Sequence, residues 1–318
     1  MTHGRLSPSR RSVILAMAGA TATSSAKAQE PPSVSDARGF VAIGDWGRGG
    51  DRDQIAIAQA MAQAATEIHS RFVISVGDNF YPAGVQSADD PQWRTSFENV
   101  YTHSALQTPW YVALGNHDYR GHAPAQVAYA KRGGRWRMPA ASYVVGSADL
   151  GIPDLNLFVL DTTPLVGDHD EAAMRLLHGR IGLPAPDAQM TWFREALKAS
   201  RAKWKIVVGH HPVYSGGHHG SSPLLASRLE PLFKAYGVNA YLCGHDHVLQ
   251  HIQRDDVAHI CTGAGASAGT AKDIPGTLFR NSETGFAMFR LEASALQLEF
   301  RNAEGRTLYQ ACIPQNPA

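Results

Sequence analysis

Five short apolar runs in this chain each end in a glycine that is followed at once by a side chain able to hold a metal ion. The pairs are Gly44-Asp45, Gly77-Asp78, Gly115-Asn116, Gly209-His210 and Gly244-His245, with His247 two residues beyond the last. In an α/β sheet, sites form outside the carboxyl ends of the strands, where several loops converge. Glycine lets the chain turn sharply there and carries the next side chain to the rim. One Gly-Asp after a strand is ordinary turn chemistry; five such tips with ligand-type residues are not. Seven of the fifteen histidines fall between His210 and His251, which points the same way.

The runs alternate with helical patterns, which predicts an α/β fold. Strands are expected at Gly39–Ile43, Phe72–Val76, Trp110–Leu114, Tyr143–Val145, Leu155–Leu160, Lys205–Val208 and Ala240–Cys243. Ile55, Ala58, Met61, Ala62, Ala65 and Ile68 share one face of a helix over 54–68. A helix is expected over Trp93–His103, one capped by Asp187, and one from Pro231 to Tyr236 stopped at Gly237. The segment 163–186 is long and irregular, with one short helix at 171–177. From Val257 to Ile313, four strand-like runs with turns predict an antiparallel layer.

Of 318 residues, 44% are hydrophobic and 18% charged, enough to bury a large core. The first 28 carry Arg5, Arg10, Arg11 and Lys27 and no acid, so the rest holds 25 basic and 28 acidic side chains. Such a near-neutral body offers no electrostatic footprint for nucleic acid or an anionic membrane, and no later apolar run is long enough to cross a bilayer. The opening resembles an export signal. Arg10-Arg11 precede the apolar Val13–Ala18, and Ala26-Lys27-Ala28 forms an A-x-A cleavage site. Paired arginines before a mild apolar stretch resemble the twin-arginine type; a general secretory signal with a chance pair is the alternative. The expected organisation is a signal over 1–28, a linker over 29–37 and a single catalytic domain over 38–318, located in the periplasm or secreted. Cys243, Cys261 and Cys312 cannot form a closed disulfide framework. Cys243 and Cys261 are either buried thiols, the favoured reading, or a neighbouring-strand pair.

Carboxylate and amide oxygens suit hard cations, and imidazole suits iron and zinc. Two aspartates, one asparagine and three histidines exceed what one tetrahedral ion needs. They suit two ions that share a bridging carboxylate, about 3.5–4 Å apart in sites that clamp both oxygens of an in-line displacement.

The ordered set Gly-Asp-Trp-Gly at 44–47, Gly-Asp-Asn-Phe-Tyr at 77–81, Gly-Asn-His-Asp at 115–118, Gly-His-His-Pro at 209–212 and Gly-His-Asp-His at 244–247 resembles the calcineurin-like metallophosphoesterases. Tyr81, three residues after Asp78, narrows the resemblance to the purple acid phosphatases. Arg135–Pro139 and Tyr241–His247 look most like their small, tartrate-resistant type. The resemblance implies a four-layer αββα sandwich of two mixed sheets, with the metal site at the strand C-terminal ends. It implies a ferric ion held by Asp45, Asp78, Tyr81 and His247. A second, divalent ion (iron, zinc or manganese) would be held by Asp78, Asn116, His210 and His245, with Asp78 bridging. A phenol deprotonates near pH 10 in water, so a phenolate ligand near neutrality calls for a strong Lewis acid.

The activity implied is acid phosphatase, with phosphate monoesters hydrolysed by metal-activated hydroxide. His117 and His219 would hydrogen-bond the phosphate and protonate the leaving alkoxide, which suits an acidic optimum. His218 competes with His219 for that place. His211 and Asp118 would orient ligands, Asp246 would form the turn between two ligands, and Trp46 would lie in the core or at the rim. The expected substrates are small phosphomonoesters, with phosphoproteins as a further class, and the expected state is a monomer with no membrane anchor after cleavage. Two alternatives stay open: a phosphodiesterase or nucleotidase on the same scaffold, and a non-hydrolytic metal-binding or redox protein. Gly263-Ala264-Gly265-Ala266 departs from relatives, which often place a polar residue after Gly-Ala-Gly.

Overall fold

The computed structural model describes Met1 and residues 38–166 and 185–316. The expected export signal beyond Met1, the expected linker, the short helix expected at 171–177 and the middle of the 163–186 segment lie outside the described residues.

Two seven-stranded sheets face one another. The first has the order β14-β13-β12-β1-β2-β3-β4 and the second β11-β9-β10-β8-β7-β6-β5. The strands of the first are β1 (Gly39–Ile43), β2 (Val73–Ser75), β3 (Trp110–Val112), β4 (Trp136–Arg137), β12 (Gly285–Leu291), β13 (Ala295–Asn302) and β14 (Thr307–Pro314). Those of the second are β5 (Tyr143–Val145), β6 (Leu155–Val159), β7 (Trp204–Val208), β8 (Ala240–Cys243), β9 (Leu249–Arg254), β10 (Val257–Thr262) and β11 (Thr277–Asn281). Both sheets are mixed: β1 to β4 and β6, β7, β8, β10 run parallel, and the flanking strands pair antiparallel.

The helix Arg52–Glu67 covers the first sheet, packing on β1, β12 and β13. Asp51 caps it by accepting from the Gln54 N–H. Helices Pro186–Ala199 and Pro223–Tyr236 pack together over the second sheet. Their Phe193, Leu197, Leu225, Leu229 and Phe233 join Phe158, Val207 and Tyr241 in a separate core. The larger core draws on both sheets, including Val41, Ile74, Leu157, Ile206 and Ile260. Helix, sheet, sheet and helix thus form the four expected layers. Each fully buried aliphatic or phenylalanine side chain contributes about 1.5–3 kcal/mol.

Several expectations need correction. The tail contains five strands from Val257 onward, and they do not form one layer. β10 and β11 join the second sheet while β12 to β14 join the first; alternation fixes which face a residue shows, not which sheet receives the strand. Trp93–Glu98 is a single π-type turn followed by irregular chain, because Trp93 and Phe97 turn into an aromatic cluster. Ala185, not Asp187, precedes the helix at Pro186, whose missing N–H suits a first turn. The helix ending at Gly237 begins at Pro223, eight residues before the expected start. Trp46 is fully buried. Its ring meets Tyr101 and Trp110 edge-on at 5.3 and 5.8 Å, and its Nε1–H donates to Ser75 Oγ at 2.8 Å. Cys243 and Cys261 are buried thiols that stand opposite each other on the parallel strands β8 and β10.

His251 and His259, on adjacent strands, are buried. Burial pushes His259 down to about 3 and His251 down to about 4; Arg254 adds to the effect at His259. Both folded values lie below the unfolded value, so below about pH 6.5 the unfolded chain takes up protons that the fold refuses. Stability is therefore lost as pH falls from 6.5 toward 4, by up to about 1.4 kcal/mol per pH unit for each ring. A His259→Leu protein is expected to lose about 3–6 °C less in Tm than the parent between pH 7 and pH 5. Parallel Tm–pH curves for the two proteins would reject this.

Candidate metal centre

The tips of β1, β2 and β3 from one sheet and of β7 and β8 from the other meet at one end of the sandwich. Asp45, Asp78 and His245 adopt left-handed backbone, with φ of 60°, 50° and 69°. Non-glycine residues rarely do so, and such strain concentrates at functional sites. Two of the preceding glycines are required by close approach. A Cβ on Gly115 would lie 2.2 Å from Asp78 Oδ1, and one on Gly244 would lie 2.3 Å from Asp45 Oδ2. Each tip is thus packed against the ligand-type side chain of another.

Tyr81 stands at the middle of one half of the site. Its hydroxyl is 2.9 Å from Asp45 Oδ1, 2.8 Å from Asp78 Oδ2 and 3.1 Å from His247 Nε2. In the other half, Asn116 Oδ1 lies 3.2 Å from His210 Nε2 and 3.0 Å from His245 Nδ1. Asp78 joins the halves, since its Oδ2 is also 3.4 Å from His210 Nε2. Its Oδ1 accepts the His117 backbone N–H at 2.8 Å. Asp45 Oδ2 accepts the His245 N–H at 3.1 Å. All seven residues expected as ligands are therefore together: Asp45, Asp78, Tyr81, Asn116, His210, His245 and His247.

The chemistry of this donor set fits cations. One phenolic hydrogen cannot serve Asp45, Asp78 and His247 at once. The His210 Nδ1–H donates to Val76 O at 3.0 Å, which turns the Nε2 lone pair toward the oxygens of Asn116 and Asp78. Burial lowers His210, yet Asp78 and Asp45 beside it push it up to about 10. Burial alone would raise the Asp78 carboxyl, but His210 and His117 hold it well below the usual carboxylate range. Burial and both carboxylates raise the Tyr81 phenol far above its ordinary value. Protein groups alone would thus keep the phenol protonated; a multivalent cation reverses that balance.

The two histidines expected near substrate flank the cluster. The His117 ring lies 4.3 Å from that of Tyr81, with Nε2 4.0 Å from Asp78 Oδ2. The His219 ring lies 4.0 Å from that of His245, whereas His218 points beside it with its ring 5.2 Å from His219. Both sit on a loop held by Asp246, whose carboxylate accepts the His219 N–H at 2.8 Å and the Ser215 hydroxyl. Asp246 is buried and anchors this loop, so it does more than shape a turn.

Supporting groups divide into those visible in the sequence and those missed. Asp118 is buried and accepts N–H groups of Asn79, Gly115 and Gln126, next to two ligand tips. His211 Nδ1 meets Thr162 Oγ1 at 2.9 Å, and that hydroxyl also accepts the His210 and His211 backbone N–H groups. Thr162 carried no signal beyond its place after β6. Ser267 Oγ lies 2.8 Å from His247 Nδ1. Ser267 directly follows Ala266, so a hydroxyl lies beside His247 one position past the apolar residue. Arg48 was also missed; its guanidinium lies over the Tyr81 ring.

The family model for calcineurin-like phosphoesterases matches residues 39–249. Human tartrate-resistant acid phosphatase type 5 is 33% identical over 309 residues, covering 89% of this chain and 94% of its own. Purple acid phosphatase 17 of Arabidopsis thaliana is 37% identical over 295 residues, covering 88% and 86%. Among solved structures, the chain is similar to GAP50, the anchor in the inner membrane complex of Plasmodium. The TM-score is 0.76 at 25% identity, over 88% of this chain and 89% of that one. A dimetal phosphatase from Danio rerio shares the fold, with a TM-score of 0.61 at 12% identity over 88% and 100%. With the family model spanning most of the domain and relatives alike over nearly their whole length, the chain belongs to the calcineurin-like phosphoesterases and, within them, to the purple acid phosphatases of the tartrate-resistant kind.

Proposed function

We propose that the protein is an acid phosphatase that hydrolyses phosphate monoesters at a pair of unlike metal ions. Asp45, Asp78, Tyr81 and His247 would hold a ferric ion, and Asp78, Asn116, His210 and His245 a divalent iron, zinc or manganese. The observation that carries the reading is the Tyr81 hydroxyl, within 3.1 Å of Asp45, Asp78 and His247. When bound, such a pair supplies Lewis-acid activation of water and neutralises charge on the phosphoryl oxygens.

The chain's own groups orient the substrate and move the proton. His117 Nδ1 lies 2.8 Å from Pro82 O, which aims Nε2 at the site. As the imidazolium, the ring donates from there through Nε2–H to a phosphoryl oxygen. His219 lines a cavity of about 210 Å³ together with His211, Pro212, Ser221, Ser222 and His245. A leaving alcohol fits this cavity, within reach of the His219 imidazolium as proton donor. Small phosphomonoesters and exposed phosphoserines meet these limits. The cleaved twin-arginine export, the periplasmic or secreted location, the single domain over 38–318 and the monomeric state belong to the same proposal. The N-terminal sequence and the sedimentation of the mature protein test them.

Three measurements on one preparation test the chemistry: kcat/KM for monoester and diester substrates, metal content, and the visible spectrum. Dominant diester turnover would replace the substrate class, and a colourless, iron-free active enzyme would overturn the ferric assignment. A Tyr81→Phe enzyme is expected to lose the visible band altogether. It should stay folded, because the ring still packs between Arg48 and His117. A purple Tyr81→Phe enzyme would reject the phenolate ligand.

A further inference from the structure

Arg48 touches Tyr81, one of the groups proposed to hold the ferric ion, and reaches a second, His247, through Ser267. Its Cζ lies 4.1 Å from the centroid of the Tyr81 ring, which is cation–π distance. Its Nη2 donates to Ser267 Oγ at 3.0 Å, and that oxygen is 2.8 Å from His247 Nδ1. The loop that carries Arg48 is itself fixed. The Arg48 and Gly50 backbone N–H groups both donate to Gln54 Oε1, at 3.1 and 2.9 Å. Gln54 is fully buried, and its amide donates to Ser96 O at 2.7 Å.

The arginine is not placed to use its own hydrogen bonds well. Its Nε is buried without a partner among the described residues, which costs free energy. A surface arginine kept only for solubility would turn that group to water. Here the guanidinium plane is spent on the phenol face and one N–H on the serine. A hydroxyl oxygen has two lone pairs. If Ser267 Oγ accepts from Arg48 and from His247 Nδ1–H together, His247 is held with its Nε2 lone pair toward Tyr81 and Asp45. Groups that orient ligands in this way tune a metal's affinity and potential.

We infer that Arg48 is a positioning residue of the iron-binding half: its charge tunes the Tyr81 ligand through the ring, and its N–H sets His247 through Ser267. The inference rests on the reading of Tyr81 as a ferric ligand. The positive charge lies against the phenol, so it lowers the energy of the donor electrons more than that of the ion beyond. It also favours the reduced ion. Removing the charge should move the phenolate-to-iron band to longer wavelength and lower the reduction potential.

The test compares Arg48→Gln, Arg48→Lys and Ser267→Ala with the parent, each checked for iron content and thermal unfolding. The readouts are the visible band, the reduction potential and the rate at which a chelator strips iron. Arg48→Gln is expected to show the longer-wavelength band and the lower potential. Arg48→Lys, which keeps the charge, should return the potential toward that of the parent. Ser267→Ala should leave the band near its parent position and release iron about tenfold faster. If Arg48→Gln and Ser267→Ala both match a purple parent in all three readouts, the inference falls while the ferric reading stands. A colourless, iron-free parent removes both.

Discussion

An Asp78→Ala enzyme is expected to lose phosphomonoester turnover by about a thousandfold or more and to bind less metal at both positions together. The size follows from where the carboxylate sits. Its Oδ2 is 2.8 Å from Tyr81 Oη and 3.4 Å from His210 Nε2, so it faces both halves of the site. Its Oδ1 holds the His117 N–H, so the same substitution loosens the histidine proposed to bind the phosphoryl group. Asp45 provides the contrast. Its Oδ1 touches Tyr81 and His247, and it reaches the Asn116 group only through the backbone N–H of His245, not through a donor atom of that group. An Asp45→Ala enzyme should therefore lose iron and retain much of the divalent ion. Metal analysis of the two variants, with thermal unfolding to show that each is folded, separates these outcomes. If Asp78→Ala keeps either its metal complement or activity within about tenfold of the parent, the shared-carboxylate picture is wrong.

The sequence carried most of this site because each ligand is announced locally. An apolar run, a glycine and a ligand residue are contiguous, and a strand tip needs nothing distant to be recognised as one. What the sequence did not carry depends on partners far along the chain. Arg48 meets Ser267 across 219 residues, and neither residue type is unusual in its own loop. Asp246 looked like a turn residue between two histidines; only the folded loop at 215–220 shows that its carboxylate is an anchor. Trp46 was open between core and rim because its neighbours are ligands, and it is buried by aromatic rings from four other segments. The tail strands failed for a different reason. Alternation along β13 sets which of its faces is buried, but the choice of sheet was made by packing. The four-layer architecture came with the resemblance rather than from periodicity.

An Asp118→Ala protein is expected to lose about 3–5 kcal/mol of unfolding free energy and about 10–100-fold in metal affinity. Asp118 touches no group in the proposed ligand set through its side chain, yet it ties two of the tips together. Its carboxylate accepts the Asn79 backbone N–H at 3.1 Å and side-chain Nδ2–H at 3.1 Å, one residue past Asp78. It also accepts the Gly115 N–H at 2.9 Å, one residue before Asn116, and Gln126 Nε2–H at 2.8 Å. Burial and nearby Asp78 push it up to about 7, while these N–H groups pull the other way. Removing the carboxylate strands three buried donors, the Asn79 and Gly115 backbone N–H groups and Gln126 Nε2–H, each costing about 1–3 kcal/mol when left unpaired, while Asn79 Nδ2 keeps Ala113 O and Gln126 Oε1. Asp118→Asn keeps the volume but aims an amide N–H at groups that are all donors, so it should recover only part of the loss. Urea unfolding of the metal-free proteins reads the stability term, and titration with a competing chelator reads the affinity. An Asp118→Ala protein that unfolds at the parent's urea midpoint and keeps its metal against the same chelator would show that the tips hold their positions without this tie.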